Sequence, residues 1–344
     1  MLNVQIVDDS LFIRKSLKKI LESDGEFNII HEASSVSEAI ANFKLAEPDL
    51  IITDIQLIES NGIEFIEWVM KTKPKPIIVL SGEINSQDKI YYKAVELGVI
   101  DFIKKDPAEI TGIIRLKTTI INSLQSVGKI NSSKQTPVET TPESKNLEKS
   151  EHQLILIGTS TGGPQVIEQL LVGLDSTVPF PILIVQHMPI GFTEAFANRL
   201  NGLCRIKVTE LNTQSELLGG NVYIGKAGFH FNVVMRNGKL TGINNAEPND
   251  TLHIPSVDEL FFSAKKLNNV MIHAFLLTGM GSDGAKGLLE LRKNGNRTYT
   301  QLSTECVVDG MPRSAREMGA SMREMKIRDI QHYISNLHRN SVPS

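Results

Sequence analysis

The sequence predicts an α/β protein of two domains that are joined by a flexible linker. Short apolar runs alternate with segments in which apolar residues recur at helical spacing, first before residue 122 and again after residue 152. This alternation is typical of parallel sheets covered by helices. With 344 residues, the chain is also longer than one typical domain. We therefore assign domains to residues 1–121 and 153–344 and the linker to residues 122–152.

In the first domain, five predicted strands alternate with five predicted helices. The strands occupy residues 2–7, 27–31, 50–53, 77–80 and 100–103, and the helices occupy residues 12–21, 36–45, 63–70, 89–97 and 110–121. Five β-α units of this length predict a parallel sheet with helices on both of its faces.

The predicted linker has few apolar residues. Residues 123–152 include five apolar residues and no aromatic residue, and they are rich in Ser, Thr, Lys and Glu. Such a segment cannot bury enough surface to offset the entropy lost on ordering, so we expect a flexible tether. A solvated helix is the alternative, which Pro137, Pro142 and the serines disfavour.

The second domain repeats the alternation and adds an antiparallel element. Strands are predicted at residues 154–157, 180–186 and 271–278, and helices at residues 165–171, 260–267 and 285–293. Pro164 suits the first turn of a helix, and Ser256-Val257-Asp258-Glu259 has the form of a capping box. Asn237-Gly238 predicts a β-hairpin over residues 231–243.

Composition and charge exclude several classes of protein. The chain is 41% hydrophobic and has no apolar run long enough to span a membrane, and its start does not resemble a signal peptide. Two cysteines cannot form a disulfide framework, which favours a reducing, cytoplasmic location. A net charge of −3 argues against a general nucleic-acid-binding protein. This charge is divided into −5 on residues 1–122, 0 on residues 123–152 and +2 on residues 153–344.

Polar side chains follow four predicted strands of the first domain. Asp8-Asp9 follow the first strand, Asp54 the third, Ser81 the fourth and Lys105 the fifth. Because the carboxyl ends of parallel strands share one edge, these side chains should lie together. Mg²⁺ would relieve the repulsion between carboxylates, and an ammonium and a hydroxyl group would complete a phosphoryl site. A single Asp after a strand is more often a turn or cap residue, but the set of five is more specific.

The first 121 residues resemble the receiver domains of two-component response regulators. The resemblance is carried by Val7-Asp8-Asp9-Ser10, Thr53-Asp54, Asn61-Gly62, Ser81-Gly82 and Asp101-Phe102-Ile103-Lys104-Lys105. It implies a flavodoxin-like (βα)5 fold and phosphorylation of Asp54. It further implies that Mg²⁺ is held by Asp8, Asp9, Asp54 and the Gln56 carbonyl group.

The same resemblance assigns three further residues of the receiver site. Ser81 and Lys105 would contact the acyl phosphate, and Phe102 takes the position of the switching aromatic residue. The sequence departs from the family pattern at Leu57-Ile58, at Asn61 and at Asp106, where Met-Pro, Asp and Pro are usual. None of these departures removes a residue of the acceptor site.

A glycine-rich turn opens the second domain. Gly158-Thr159-Ser160-Thr161-Gly162 fits the pattern G-x-S-x-G between a strand and a helix, which lifts a serine hydroxyl to the edge of a sheet. The N–H groups at the start of the helix would favour an oxyanion there. A phosphate-binding glycine turn explains this motif equally well, although no lysine follows it as in a P-loop.

A serine nucleophile needs a base, and the base needs an orienting carboxylate. His187 ends the strand at residues 180–186 and therefore shares an edge with Ser160. Asp283 follows the strand at residues 271–278, where the alternative role is capping of the next helix. The order Ser-His-Asp differs from the Ser-Asp-His order of α/β-hydrolases. Among the other histidines, His230 and His253 could face a substrate or lie at the surface.

Residues 154–320 resemble the catalytic domain of chemotaxis protein-glutamate methylesterases. The matching stretches are residues 157–163, 185–192, 196–200, 255–258, 277–287 and 310–313. A receiver, a linker and this domain are the family architecture, which implies a doubly wound α/β sheet in the second domain. By this resemblance Ser160 is the nucleophile, His187 the base and Asp283 its partner, with the backbone N–H groups of Thr161 and Met280 as the oxyanion hole.

The resemblance also implies a function and its partners. The expected reaction is phosphorylation-regulated hydrolysis of γ-glutamyl methyl esters on the cytoplasmic helices of methylated chemoreceptors, with release of methanol and some deamidation of receptor glutamines. A chemotaxis histidine kinase would phosphorylate the receiver, which needs Mg²⁺, whereas the esterase chemistry needs no cofactor. The unphosphorylated receiver would block the catalytic domain, and their opposite net charges would favour docking. Neither nucleic acid nor membrane insertion is expected.

Two other classes of function compete with this one. The chain could be a phosphorylation-controlled binding protein that does not use its catalytic residues, although all three are present. A DNA-binding output is disfavoured because the second domain has no helix-turn-helix pattern and a net charge of only +2. A nucleotide-binding glycine loop is disfavoured because the sequence has neither the lysine of a P-loop nor the acidic residue that binds ribose.

Overall fold

The computed structural model describes two compact units, each with its own parallel sheet. The described residues are 2–23, 25, 27–57, 61–81, 90, 93–94, 97–99, 101–105, 152–174, 177–188, 190–246 and 253–337. The predicted helix at residues 110–121, most of the predicted helix at residues 89–97 and the linker up to residue 151 lie outside this set. The domain boundaries at residues 121 and 152 therefore stay predictions.

The first unit is the predicted flavodoxin-like parallel sheet. Its strands are β1 (Leu2–Val7), β2 (Phe27–Ala33), β3 (Leu50–Asp54), β4 (Ile77–Ser81) and β5 (Asp101–Lys104), and its helices include α1 (Leu11–Glu22), α2 (Val36–Leu45) and α3 (Gly62–Thr72). The strand order is β2-β1-β3-β4-β5. The winding reverses between β1 and β3, so the ends of these two strands flank a crevice.

Each of these three helices begins at a residue whose side chain caps it. Ser10, Ser35 and Asn61 precede α1, α2 and α3, and each side chain accepts a hydrogen bond from a backbone N–H of the first turn. These caps satisfy donors that have no partner within the helix. Asn61, a departure from the family pattern, therefore forms a normal cap.

The second unit is doubly wound, as predicted. Its seven parallel strands are β6 (His152–Thr159), β7 (Ile182–Gln186), β8 (Lys207–Glu210), β10 (Asn221–Ile224), β13 (Val270–Leu276), β14 (Arg297–Gln301) and β15 (Arg323–Met325). Their order is β15-β14-β13-β6-β7-β10-β8. The chain winds outward from β6 through β7 and then returns to the other side of β6 with β13. The crevice of this sheet therefore lies between β6 and β13.

An antiparallel sheet of three strands accompanies the parallel one. It pairs β11 (His230–Arg236) with β12 (Lys239–Asn245), and β12 with β9 (Gln214–Glu216). The predicted hairpin turns at Asn237 and Gly238, with φ of 50° and 75°. The short β9, with the sequence Gln-Ser-Glu, was not predicted because it has no apolar residue.

The described helices that follow β6 in the chain are α4 (Gly163–Val172), α5 (Phe192–Leu203), α6 (Val257–Lys265), α7 (Ala285–Lys293), α8 (Gly310–Glu317) and α9 (Ile327–Asn336). The central strands of the parallel sheet are nearly free of exposed side chains, as in β13, where six of the seven residues are buried. Within the described ranges, no helix combines the length and the apolar character needed to cross a bilayer.

The hairpin turn provides a test of backbone strain alone. A Cβ atom at Gly238 or at Gly202 in α5 would meet no atom within 4 Å, but only Gly238 has a left-handed φ, of +75°. We expect Gly238→Ala to lower the free energy of unfolding by about 1 kcal/mol and Gly202→Ala to raise it by about 0.5–1 kcal/mol. Urea unfolding followed by circular dichroism measures both free energies. Equal effects of the two variants would show that the left-handed φ at residue 238 causes no strain in alanine.

Candidate functional site

Ser160 lies in the tight turn between β6 and α4. Gly162 has a left-handed φ of 76°, and a Cβ atom on Gly163 would overlap the side chain of Gln186. The flanking glycines are therefore required by the backbone and by packing. The N–H of Ser160 donates to the carbonyl oxygen of Thr278 at 2.9 Å, which ties this turn to the end of β13.

His187 directly follows β7, next to the Ser160 turn. Its N–H donates to the carbonyl oxygen of Thr159 at 3.1 Å. Its Nε2 lies 2.8 Å from Oδ2 of Asp283, whereas its Nδ1 is buried and has no hydrogen-bond partner in the described part of the chain. The structure thus joins His187 to Asp283 and places Ser160 on the adjacent turn, without a Ser160–His187 hydrogen bond among the described residues.

Asp283 is the most heavily hydrogen-bonded group of the site. Its Oδ2 also accepts from the N–H of Val257 at 2.7 Å, and its Oδ1 accepts from the N–H of Asp258 at 3.0 Å and from Oγ of Ser256 at 2.8 Å. The carboxylate therefore caps the first turn of α6. It does not cap the helix that follows it, because Gly284 is the N-cap of α7.

The surroundings of Asp283 keep it ionised. Burial alone would raise its pKa, but the hydrogen bond and charge of His187 and the backbone donors of Asp258 and Val257 lower the pKa to about 2. An anion at this position makes Nε2 of His187 the protonated nitrogen, because a carboxylate only accepts hydrogen bonds. The unpartnered Nδ1 is then the nitrogen able to take a proton.

Two histidines that the sequence left open contribute to this site. The ring of His253 stacks on that of His187, with the centroids 4.1 Å apart and the planes inclined by 22°. Burial and the charge of His187 lower the pKa of His253. His230 is buried, and its Nδ1 accepts from the N–H of Ser256 at 3.2 Å, so its alternative placement at the surface was wrong.

Ser256 is a residue whose importance the sequence showed only in part. The capping box predicted that its hydroxyl accepts from Glu259 N–H, which it does at 3.3 Å. The same hydroxyl donates to Asp283, and the Ser256 N–H goes to His230 instead of to the Glu259 side chain. The start of α6 is thereby built into the candidate site.

The loop after β13 is packed against the serine. A Cβ atom on Gly279 would lie 2.8 Å from Cβ of Ser160. Gly279 donates to the Val308 carbonyl oxygen and accepts from Met311 N–H, both at 2.9 Å. These bonds hold the peptide that precedes Met280. The oxyanion-hole roles of Thr161 and Met280 stay predictions.

The acidic cluster of the first unit lies where β1 and β3 end. Carboxylate oxygens of Asp8, Asp9 and Asp54 all lie within 4.8 Å of one another. Nζ of Lys105 is 2.7 Å from Oδ2 of Asp8 and 2.5 Å from Oδ2 of Asp54. The N–H of Gln56 donates to Asp54 Oδ1 at 3.0 Å. The structure thus brings together the predicted carboxylates, the lysine and the backbone of Gln56.

The chemistry of this cluster suits a hard divalent cation. Its donors are all oxygen atoms, and Asp8 and Asp54 are buried, so their mutual repulsion is costly, and the single charge of Lys105 offsets only part of the charge of the three carboxylates. Burial works to lower the pKa of Lys105, but hydrogen bonds to Asp54 and Asp8 outweigh it and raise the pKa. Ser81 is the last residue of β4 and Phe102 lies in β5, and their side chains lie outside the described part of the structure.

The fold and the two sites define a class of protein: a receiver-like domain with an acidic pocket, followed by a doubly wound α/β domain that carries a serine beside a His-Asp pair. The model of the CheB methylesterase family matches residues 155–334, and that of the response regulator receiver domain matches residues 4–115. The chain belongs to the CheB methylesterase family, which confirms the resemblance that the sequence predicted.

Individual relatives cover nearly the whole chain. It is 36% identical over 321 residues to a protein-glutamate methylesterase/protein-glutamine glutaminase of Halalkalibacterium halodurans, with 92% of each chain covered. It is 35% identical to one of Photorhabdus laumondii, with 95% of this chain and 94% of the relative covered. The crystal structure of the Thermotoga maritima CheB methylesterase catalytic domain is similar with a TM-score of 0.52 and 32% identity, covering 54% of this chain and 99% of that chain.

The low pKa of Asp283 predicts how its contribution to stability depends on pH. Its carboxylate titrates near 3.9 in the unfolded chain and at about 2 in the folded one. Its stabilising effect is therefore complete above about pH 5 and is lost as the pH falls towards 2. We expect the difference in free energy of unfolding between wild type and Asp283→Asn to shrink by about 2–3 kcal/mol between pH 7 and pH 2. Urea unfolding across this pH range measures the difference in free energy. A difference that stays constant would contradict the lowered pKa of Asp283 in the folded protein.

Proposed function

We propose that this protein hydrolyses γ-glutamyl methyl esters on methylated chemoreceptors and releases methanol. The observation that carries the proposal is the His187–Asp283 pair beside the Ser160 turn, with an ionised carboxylate on Nε2 and an unpartnered Nδ1. The name of the relatives, protein-glutamate methylesterase/protein-glutamine glutaminase, supports the substrate class. The receptor helices and the enzyme would meet in the cytoplasm, without nucleic acid and without insertion into the membrane.

The proposed reaction proceeds through an acyl-enzyme. Ser160 Oγ attacks the ester carbonyl while Nδ1 of His187 takes the serine proton, and Asp283 stabilises the resulting imidazolium. The backbone N–H groups of Thr161 and Met280 hold the tetrahedral oxyanion. Loss of one such donor typically costs about 10²–10³ in rate.

The intermediate then collapses and is hydrolysed. His187 returns its proton to the methoxy group, and methanol leaves. Water attacks the glutamyl-serine ester with His187 again as the base, which frees Ser160 and leaves a glutamate on the receptor. A primary amide follows the same route with ammonia as the leaving group, so receptor glutamines would be deamidated as well. No cofactor takes part in these steps.

We further propose that the receiver controls this activity through phosphorylation. Asp54 accepts the phosphoryl group from a chemotaxis histidine kinase, with Lys105 and Ser81 in contact with the acyl phosphate and Phe102 as the switching aromatic residue. The carboxylates of Asp8, Asp9 and Asp54 and the carbonyl group of Gln56 would hold Mg²⁺, which would neutralise charge on the phosphoryl group. The close grouping of these carboxylates supports the metal assignment.

The proposed control is relief of inhibition. The unphosphorylated receiver blocks the catalytic domain, and its phosphorylation removes the block. The net charges of −5 on residues 1–122 and +2 on residues 153–344 favour docking between the two domains.

Release of methanol from receptor-containing membranes tests the activity. We expect Ser160→Ala to reduce the rate by at least about 10³-fold, because the nucleophile is lost. Gly202→Ala is the matched control, since it lies on the surface of α5 and should retain the wild-type rate. Equal rates for Ser160→Ala and wild type would refute the role of Ser160 as the nucleophile. An inactive wild type would favour the alternative of a phosphorylation-controlled binding protein.

Acetyl phosphate and Mg²⁺ test the control by the receiver. We expect them to raise methanol release by the full chain and to leave that by Asp54→Asn unchanged, because the acceptor carboxylate is absent. Deletion of residues 1–150 should raise the basal rate without a phosphodonor. An unchanged rate after this deletion would contradict autoinhibition. Stimulation of Asp54→Asn would show that another residue is the acceptor.

A further inference from the structure

One side chain connects the turn of the proposed nucleophile to that of the proposed base. Gln186, the last residue of β7, is buried, with 2% of its surface exposed. Its Nε2 donates to the carbonyl oxygen of Ser160 at 2.8 Å and to that of His187 at 3.0 Å. Both hydrogens of a single amide group are therefore used to hold these two backbones together.

The opposite end of the same amide is costly to bury. Oε1 of Gln186 accepts no hydrogen bond within the described residues, and it fills the space where a Cβ atom of residue 163 would be. A buried acceptor without a donor loses its hydration and gains nothing in return. An apolar side chain of similar size would avoid this loss. What Gln186 supplies in return is the pair of hydrogen bonds from its Nε2 to the carbonyl oxygens of Ser160 and His187.

We propose that Gln186 is a positioning residue for the proposed esterase reaction. Its amide group keeps the Ser160 turn at a fixed distance from the His187 turn, so that Oγ stays within reach of Nδ1 as the proton moves. Backbone bonds hold each turn to a neighbouring strand, Ser160 to Thr278 and His187 to Thr159, and Gln186 adds a direct link between the two turns. The inference rests on the proposed function.

The expected effect is on the chemical step. A misplacement of about 1 Å between reacting groups can reduce a rate by about 10²-fold. Both N–H donors of the amide are engaged by backbone oxygens and its Oε1 is buried, so the amide has no group free to bind a substrate. Loss of the amide should therefore lower kcat and leave KM nearly unchanged.

Gln5 offers a matched control in the first unit. It lies on the parallel strand β1 and is fully buried, its Nε2 donates to the carbonyl oxygen of Ala39 at 2.8 Å, and its Oε1 accepts no hydrogen bond in the described part of the chain. Gln5→Met and Gln186→Met thus remove the same groups from equally buried sites. Only the second change should affect catalysis.

The experiment measures methanol release from methylated receptor membranes by the full chain without a phosphodonor. We expect Gln186→Met to lower kcat by about 10²-fold, with KM within about twofold and Tm within about 4 °C of wild type. Gln186→Glu, which keeps the shape and leaves at most one of the two donors, should lower kcat as well. Gln5→Met should retain the wild-type kcat.

Three results would overturn the inference. The first is a wild-type kcat in Gln186→Met. The second is a fall of kcat in proportion to the fraction of unfolded protein. The third is failure of both Gln186 variants to fold, since that would make the residue structural. A wild type that releases no methanol refutes the proposed function and this inference together, whereas an active wild type with an equally active variant refutes this inference alone.

Discussion

One half-buried carboxylate, that of Asp283, holds together the candidate site of the second unit. It accepts hydrogen bonds from the first turn of α6, from the Ser256 hydroxyl and from the ring of His187. An anion at the start of a helix is stabilised by unpaired N–H groups and by the helix dipole. The loop after β13, the start of α6 and the residue after β7 are therefore held by the same charge. Removal of this charge would leave donors without their acceptor at the start of α6 and on the ring of His187.

Both sites lie where the winding of a parallel sheet reverses direction. In each sheet the winding reverses between two neighbouring strands, β1 and β3 in the first and β6 and β13 in the second. The loops that leave these strands diverge, and the side chains at the strand ends face the resulting crevice. The two sites differ in how they balance charge. Lys105 offsets buried carboxylates in the first, whereas helix N–H groups surround a single carboxylate in the second.

Local patterns predicted several of the long elements, although the 12-residue helix α5 was not predicted. β1, α2 and α7 have the bounds that the sequence predicted, because their apolar periodicity and their flanking residues agree. The strands that escaped prediction are short, and several are polar, such as β9, β15 and the Lys-Val-Thr-Glu of β8. Such strands are stabilised by partners distant in the chain, as β15 is by β14, and local patterns do not report this.

The sequence by itself determined which residues stand at the strand ends and hence the candidate residues that the two sites share with those ends. Ser160, His187 and Asp283 follow β6, β7 and β13, and only parallel pairing is needed to bring them to one edge. The tertiary structure alone decided which nitrogen of His187 meets Asp283, that Asp283 caps α6, and that His253 and Gln186 complete the surroundings. These contacts join residues about 25 or more positions apart, and their geometry depends on how loops pack across the crevice. Periodicity and caps describe local backbone conformation, so they carry no information about contacts of this kind.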